Sequence, residues 1–316
     1  MRMQLTGEAK PKFAGRTHQQ PDSRLKPGSH TDAVMALSWN TVHKQVLASG
    51  SADGTVKLWD VTKACDDEGK ANASTFTHHK SKVQSVAWNP HEGTLLASGS
   101  FDRTVSLVDA RGDGSNTRSF RIVADCEAIA WDPFRSERLT VLTEDGTLAT
   151  WDVRNLEKPL WSSVISEFGG VTDAAYNAHV QGLLVTCSTD KSVTLWDVHK
   201  ESQPVSCGSK DMCAGKLYSA SFYPSTPWLL GCGGAGNMLS LWDLSSEETI
   251  QKRFGGRASD AAPVETQGKN EDFEKMMVGN SNHDAERLQD KAKQPGDPKR
   301  SKDKKRKTGK KKKRSR

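Results

Sequence analysis

Histidine, serine and aspartate stand near the start of the chain at spacings that could build a nucleophilic site. His30, Ser49 and Asp53 offer a base, a hydroxyl and a carboxylate, the three groups of a hydrolase triad. The same residue types recur 49 residues further on, and Ser49 lies in a strand-like stretch without the sharp turn that exposes a catalytic serine. We therefore predict that these residues are structural, that no residue is catalytic and that the protein is not an enzyme.

These residues belong to a repeating unit that is clearest at residues 30–61. Ala33–Trp39 alternates apolar and small residues, Leu47–Ser51 is a short apolar run, and Val56–Trp59 is again strand-like. Asp53 and Gly54 lie between the last two strands and supply the turn of a tight antiparallel hairpin. The third strand of each unit ends at one of these residues: Trp59, Val108, Trp151, Trp196 and Trp242. An aromatic residue precedes each of them by 20 positions: Trp39, Trp88, Trp131, Tyr176 and Phe222.

A fourth strand can be assigned after each of these positions, at Ser74–His78, Thr117–Ile122, Pro159–Val164, Pro204–Gly208 and Thr249–Phe254. Four short strands in a unit of about 40–45 residues that ends in Trp-Asp are typical of a β-propeller blade. We predict an all-β propeller with five visible four-stranded blades over residues 30–254. Five blades either close a small ring or form an incomplete ring that exposes a blade face at each end.

The segments outside the repeats lack this pattern. Residues 1–29 are rich in Lys, Arg, Pro, Gln and Gly, and we predict a flexible leader. Residues 255–316 contain a single aromatic residue, Phe273, and we predict a disordered tail that ends in a basic run at residues 299–316. Apolar residues occur at helical spacing in Asp272–Val278, where we favour a disordered stretch over a short docking helix.

Charge is divided unevenly along the 316 residues, whose net charge is +6. Residues 296–316 contain 13 Lys/Arg and two Asp, which give +11, so the remaining residues sum to −5. The six cysteines are scattered without a CxxC pair, which indicates free thiols in a reducing compartment. No apolar run approaches the roughly 18 residues of a membrane helix, and the N-terminus has no apolar core of a secretory signal. We predict a soluble intracellular protein with no membrane partner.

The repeat resembles the WD-repeat family. In that family a His before the first strand, a Ser or Thr in the second, the turn Asp and the Trp form a hydrogen-bonded chain within a blade. The resemblance implies that a structural network includes His30, Ser49, Asp53, Trp59, His79, Ser98, Asp102, Asp145, Trp151, Thr186, Asp190, Trp196 and Trp242. The match is incomplete, because Val108, Ile122, Glu167 and Gly236 replace members of the chain. Packing must then supply more of the stability in those blades.

Longer segments carry a narrower resemblance. HTDAVMALSWN, LASGSADGTVKLWDV, DRTVSLVDAR, LVTCSTDKSVTLWDV and the ending FGGRAS resemble the family of periodic tryptophan protein 1 over about residues 30–258. The resemblance implies a nuclear, nucleolar scaffold in large-subunit ribosome biogenesis and ribosomal RNA processing. Its implied partners are pre-ribosomal assembly factors or ribosomal proteins. That family has a longer N-terminal part with additional blade-forming sequence, so the resemblance also implies an N-terminally shortened chain.

Two alternative functions stay open. One is a chromatin-binding module that recognises histones at ribosomal genes. The other is a generic adaptor for protein–protein interaction that contacts no nucleic acid.

The basic run at residues 299–316 is the strongest functional signal outside the repeats. Such runs are typical of nuclear and nucleolar targeting segments and also bind the phosphates of nucleic acids. No aromatic residue is interleaved to stack bases, so we expect contact with ribosomal RNA without recognition of its sequence. The residues predicted for targeting and nucleic-acid contact are Lys304, Lys305, Arg306, Lys307, Lys310, Lys311, Lys312, Lys313 and Arg314.

No motif indicates a cofactor or a metal. The chain has no GxxxxGK[ST] phosphate loop, and the Gly-rich residues 231–236 fit a turn between strands. His78, His79 and His91 lack Cys or carboxylate partners at metal-ligand spacing. We predict no metal, no cofactor and no small-molecule substrate.

Propellers usually bind partners on the face lined by the hairpin turns and inter-blade loops, and the residue before each turn Asp is not fixed by the fold. We predict a partner-binding face that includes Phe101, Arg103, Glu144, Thr189 and Lys191. An aromatic residue beside an arginine has the composition of a binding hot spot. The alternative is that Phe101 packs against the neighbouring blade.

Overall fold

The chain folds into five small antiparallel sheets that follow one another in sequence order. A computed structural model describes the following residues: 2–4 (backbone only), 28–63, 72–166, 170–200, 203–258, 271–272 and 275–276. All of them belong to one compact unit, Met1–Ser281. Each sheet has four strands, and neighbouring strands run antiparallel. The repeat therefore predicts the fold correctly: it is an all-β, five-bladed β-propeller.

The strands match the sequence units within a few residues. The N-terminal strand is β1, Arg2–Gln4. The first blade contains β2 (Val34–Trp39), β3 (Val46–Ser51), β4 (Val56–Asp60) and β5 (Asn72–Phe76). The second contains β6 (Val83–Trp88), β7 (Leu95–Ser100), β8 (Thr104–Asp109) and β9 (Arg118–Arg121). The third contains β10 (Cys126–Trp131), β11 (Arg138–Thr143), β12 (Thr147–Asp152) and β13 (Trp161–Val164). The fourth contains β14 (Val171–Tyr176), β15 (Leu183–Ser188), β16 (Ser192–Asp197) and β17 (Val205–Asp211). The fifth contains β18 (Leu217–Phe222), β19 (Leu229–Gly234) and β20 (Met238–Asp243).

The fifth blade takes its fourth strand from the other end of the chain. The predicted strand Thr249–Phe254 is wrong, because residues Glu248–Phe254 form a helix, α1. Its buried side chains, Ile250 and Phe254, are four residues apart and share one helix face. The strand β1 pairs with β20 instead and completes the sheet. The predicted flexible leader over residues 1–29 is therefore wrong at Arg2–Gln4.

The C-terminal part returns to the blades at two places. After α1, the 3₁₀ turn Gly255–Arg257 leads to Ala258, which bridges to Val180 of the fourth blade. Further on, residues 271–272 and 275–276 are helical, and Met276 is buried. The prediction of a disordered tail is wrong at these described residues, whose partners lie far away in the sequence. The predicted basic run at residues 299–316 lies outside the described residues.

Neighbouring blades pack face to face with little space between them. A Cβ atom added to Gly50 would lie 2.7 Å from Cγ1 of Val83 on the second blade. A Cβ added at the equivalent Gly99 would clash with Sγ of Cys126 on the third blade. Glycine is therefore required on these second strands because the next blade's first strand approaches so closely.

The first blade presents an uncovered apolar face. On its first strand, Leu37 is 64% exposed and Trp39 is 55% exposed. The equivalent residues of the second blade, Val86 and Trp88, are 6% and 5% exposed, because the first blade covers them. The amino-acid types are alike, so the difference lies in the neighbouring sheet and not in the strand itself.

The opposite face of the fifth blade is uncovered as well. Leu239 is 39% exposed, whereas the equivalent Val193 of the fourth blade is fully buried. Added Cβ atoms at Gly233 would meet nothing within 4 Å. A cavity of about 510 Å³ opens here, lined in part by Phe222, Gly231 and Leu239. The stack of blades thus ends in two apolar faces, the arrangement expected for an incomplete ring.

Candidate functional site

The residues that resemble a catalytic triad form a continuous hydrogen-bonded chain with Trp59 in the first blade. The Trp59 indole donates to Ser49 Oγ at 2.7 Å, and Ser49 Oγ lies 2.7 Å from His30 Nε2. His30 Nδ1 lies 2.9 Å from Asp53 Oδ2. The directions are consistent if Ser49 donates to Nε2 and Nδ1–H donates to the carboxylate. Ser49 is buried and engaged on both sides, so its oxygen is not placed to attack a substrate.

Asp53 anchors this chain to the hairpin turn. Its carboxylate also accepts hydrogen bonds from the Thr31 backbone N–H at 2.9 Å and from Thr55 Oγ1 at 2.6 Å. Burial opposes ionisation of Asp53, but the hydrogen bonds from Thr55, Thr31 and His30 outweigh it and lower its pKa to about 2. The arrangement fixes the turn between the second and third strands to the start of the first strand.

The second blade replaces the missing tryptophan with a histidine. His79 lies 3.0 Å from Asp102 and 2.8 Å from Ser98, as in the first blade. Val108 cannot donate to Ser98, and Nε2 of His78 lies 2.9 Å from Ser98 Oγ in its place. If Nε2 of His78 carries the proton and donates it to Ser98 Oγ, then Nδ1 is unprotonated. This buried nitrogen has no hydrogen-bond partner. Sequence reasoning treated His78 only as a candidate metal ligand and missed this role.

The His78 arrangement predicts a loss of stability in mild acid. Desolvation by burial and the neighbouring His79 lower the pKa of His78 to about 4, whereas the unfolded chain titrates near 6.5. Between these values the unfolded state takes up a proton that the folded state does not, so the free energy of unfolding falls as pH falls from 6.5 to 4, by up to about 3 kcal/mol. Urea unfolding followed by tryptophan fluorescence at pH 7, 5.5 and 4 measures the fall. His78→Gln, which keeps a donor and cannot titrate there, should flatten it, and an unchanged slope would contradict the assignment.

The other three blades keep only parts of the network. In the third, Asp145 accepts from Thr143 and from the Thr147 backbone, and Trp151 packs against Phe120. In the fourth, Trp196 donates to Thr186 at 2.9 Å, and Asp190 accepts from Ser192; Glu167 lies outside the described residues. In the fifth, Trp242 donates to Glu247 at 2.9 Å. These blades therefore depend more on packing than on the polar chain.

A cavity occupies the corresponding region of the third blade. Ile122 and Val141 replace the His and Ser of the network, so the His–Ser hydrogen bond of the first two blades has no counterpart there. The cavity, of about 320 Å³, is lined by both residues and also by Ala149, Trp151 and Arg121. It is an apolar cleft beside the hairpin turns of the second and third blades.

The predicted partner-face residues lie on the hairpin turns. Arg103 and Lys191 have φ values of 61° and 80°, at turn positions where Gly54 and Gly146 have 79° and 80°. A non-glycine residue in this left-handed region costs about 1 kcal/mol or more. The fold thus holds two basic side chains at turn tips where glycine would be less strained.

The surroundings of the remaining predicted face residues differ. Phe101 is half-buried, and Nζ of Lys82 lies 3.6 Å from its ring centroid, within the same blade. Arg103 is exposed and pairs with Asp125 at 3.0 Å. Glu144 and Lys191 are exposed, whereas Thr189 is half-buried. The predicted tail residues Lys304–Lys307 and Lys310–Arg314 lie outside the described residues.

Neither a metal-binding cluster nor a membrane-spanning helix occurs in the described part of the chain. There, no three His, Cys, Asp or Glu side chains are grouped so as to hold a metal ion. Among the same residues, no helix is long and apolar enough to cross a membrane.

Comparison with known sequences matches the repeats to a family. The model described as "WD domain, G-beta repeat" matches residues 23–60, 71–109 and 163–197. An uncharacterized WD repeat-containing protein of Schizosaccharomyces pombe is 36% identical over 77% of this chain and 46% of its own length. Periodic tryptophan protein 1 of Saccharomyces cerevisiae is 30% identical over 81% of this chain and 46% of its own length. Histone acetyltransferase type B subunit 2 of Debaryomyces hansenii is 24% identical over 68% of this chain and 56% of its own length.

The chain therefore spans about half the length of the curated relatives it matches. The family match falls on the first, second and fourth units, which retain most of the Ser/Thr, Asp and Trp positions. The third and fifth sheets have the same four-stranded architecture without a complete network. The repeats, the five blades and the relatives together show that the chain belongs to the WD-repeat β-propeller family and is similar to periodic tryptophan protein 1.

Proposed function

We propose that the chain is a non-catalytic scaffold in ribosome biogenesis, acting in the nucleolus on precursors of the large subunit. The observation that carries the proposal is the similarity to periodic tryptophan protein 1 across most of the chain. The resemblance to that family implies large-subunit assembly and ribosomal RNA processing. Propeller blades give such a protein a rigid surface on which several partners can be held at once.

The hairpin turns supply the proposed partner-binding face. Arg103 and Lys191 project from turns in which glycine would be less strained, and a contribution of these side chains to binding would offset that strain. Arginine paired at the surface with a carboxylate such as Asp125 can exchange that partner for an acidic group of another protein. The apolar cleft beside Ile122 and Trp151 would accept an apolar side chain of the same partner. Assembly factors or ribosomal proteins are the proposed partners.

The basic run at residues 299–316 is the proposed targeting and RNA-binding element. Its 13 cations contrast with a remainder of the chain that is slightly acidic in sum, so the strongest attraction to phosphates is expected at this end. The expected contact with ribosomal RNA depends on salt and not on base sequence.

Gradient sedimentation of a tagged chain from nuclear extract tests the proposal. We expect it to migrate with large-subunit precursors and to move to the top of the gradient after RNase treatment. The double variant Arg103→Ala/Lys191→Ala should stay nucleolar but lose about tenfold in association, as for a moderate interface hot spot. Deletion of residues 299–316 should instead move the protein out of the nucleolus. If neither the unchanged protein nor any variant sediments with pre-ribosomal particles, the proposed function is contradicted. Unchanged localisation after deletion of residues 299–316 would contradict the targeting role.

The second candidate function is a histone-binding module at ribosomal genes. The match to a subunit of a type B histone acetyltransferase favours it. In the same gradients, a histone-binding protein would be released by DNase I, which degrades DNA, and left in place by RNase A, which degrades RNA. Association with purified histones that survives nuclease treatment would support this alternative over the ribosomal one.

A further inference from the structure

A short segment from the C-terminal part of the chain is seated on the first two blades. Residues 271–272 and 275–276 are helical, and the side chain of Met276 is fully buried. Met276 belongs to the core cluster that contains Val108 and Ala110 of the second blade together with residues of the first. Ser74 Oγ of β5 donates to the Met276 carbonyl at 3.4 Å. We name the surface formed by Ser74, Val108, Ala110 and Arg111 the Met276 seat.

An ion pair fixes the other end of the segment. Nη1 of Arg111 donates to Asp272 Oδ1 at 3.2 Å. The same guanidinium also donates hydrogen bonds to both carboxylate oxygens of Asp109, at 3.0 and 2.7 Å. Arg111 is therefore pre-positioned, and it offers its remaining N–H groups to a carboxylate that approaches from outside. Asp272 and Met276 are four residues apart, so a single helical face presents both to the seat.

The space for Met276 has an identifiable origin. Val108 stands at the position where the other four blades have tryptophan. A valine side chain is much smaller than an indole, which leaves room between the first and second blades. His78 takes over the missing hydrogen bond to Ser98, and Met276 completes the packing of the cluster. The seat is thus specific to this pair of blades.

Residues 271–272 and 275–276, which are the described part of the segment, contribute one buried side chain, one half-exposed ion pair and one long hydrogen bond. A tethered ligand of this kind stays bound because its own chain keeps it close, at an effective concentration on the order of millimolar. A partner peptide with the same two anchors and additional contacts can displace it.

We propose that the Met276 seat is a recognition site for short helical peptides of partner proteins, with an acidic residue four positions before a methionine. The chain's own Asp272 and Met276 occupy the seat in the absence of such a partner. The seat selects a flexible apolar side chain through the apolar cluster that buries Met276 and a carboxylate through Arg111. This binding activity does not depend on the ribosomal function proposed above.

Fluorescence polarisation with a labelled synthetic peptide of residues 268–280 tests the proposal on the full chain. Met276→Asp should expel the tethered segment, so the peptide should bind this variant about tenfold or more tighter than the unchanged protein, in which the segment competes. Asp272→Arg, which leaves every core residue in place, is a second variant that vacates the seat. Asp272→Arg replaces Met276→Asp in this experiment if circular dichroism shows that Met276→Asp does not fold.

Charge reversal identifies the site of binding. Adding Arg111→Glu to the Met276→Asp variant, or Arg111→Gln to the Asp272→Arg variant, should weaken the peptide by about tenfold. A peptide carrying Asp272→Arg should regain that loss only on the protein with the reversed charge at residue 111. Equal peptide binding by the unchanged and vacated proteins would overturn the proposal and leave the segment as a permanent structural staple. Binding that ignores the charge at residue 111 would also overturn it, because the peptide would then occupy another surface.

Discussion

Replacing Trp131 with alanine is expected to lower the free energy of unfolding by about 3–5 kcal/mol, whereas Trp39→Ala should cost only about 1 kcal/mol. The two residues occupy the same position of the first strand in their blades. Each indole donates to a backbone carbonyl, Trp39 to Lys44 and Trp131 to Ala87. The difference is burial: the second blade covers Trp131, and Trp39 lies on the uncovered face of the first blade.

Chemical denaturation of both variants, followed by circular dichroism, measures the contrast. Sedimentation velocity at several protein concentrations is the control, because it shows whether the first blade's open face associates with another copy. A similar loss for the two variants would mean that Trp39 is covered in solution, and the uncovered face would then be an interface. A small loss for Trp131 would contradict the packing of the second blade against the third.

Asp197→Ala is expected to destabilise the protein by about 2–3 kcal/mol, more than the same change at the equivalent Asp152. Two oxygens of Asp197 accept from Arg257 at 2.8 and 3.1 Å, and Arg253 adds a third bond at 2.8 Å. The carboxylate is almost fully buried, and its loss would leave both guanidinium groups without this partner. Asp152 pairs with Arg154, whose side chain is mostly exposed, and such surface pairs contribute at most about 1 kcal/mol.

The pH dependence of the Asp197 contribution has a definite sign. Burial opposes ionisation of Asp197, but the hydrogen bonds from Arg257 and Arg253 prevail and lower its pKa to about 2. Its stabilisation is therefore complete above the unfolded value near 4 and is lost as pH falls toward 2. Thermal melts of Asp197→Ala and Asp152→Ala at pH 7 and pH 3 measure both effects. Equal destabilisation by the two variants would contradict the role of Asp197 in holding helix α1 on the fourth blade.

The ending FGGRAS acquires a physical explanation from these contacts. Phe254 is fully buried in the core of the fourth and fifth blades, and Arg257 reaches back to Asp197. Ala258 then adds a backbone bridge to Val180. The motif supports a resemblance at the level of sequence, but its role as a clasp depends on residues about 60 positions earlier.

Local rules in the sequence determined the blades. The period of two in Ala33–Trp39, the Asp-Gly turn at Asp53 and the fixed interval to Trp59 define strand, turn and strand within about 30 residues. All the interactions needed to form such a unit are short-range or lie within one sheet. For the same reason the network of His30, Ser49, Asp53 and Trp59 could be predicted from the sequence, because the repeat fixes their positions relative to one another.

Tertiary structure alone decided the features that join distant parts of the chain. The pairing of Arg2–Gln4 with β20, the packing of Met276 in the cluster that contains Val108 and the clasp of Arg257 on Asp197 leave no periodic signal, because each joins residues that are far apart in the sequence. Trp39 and Trp88 look alike in the sequence, yet one is exposed and the other buried. The presence of a neighbouring blade makes that difference, and no residue within the strand itself encodes it.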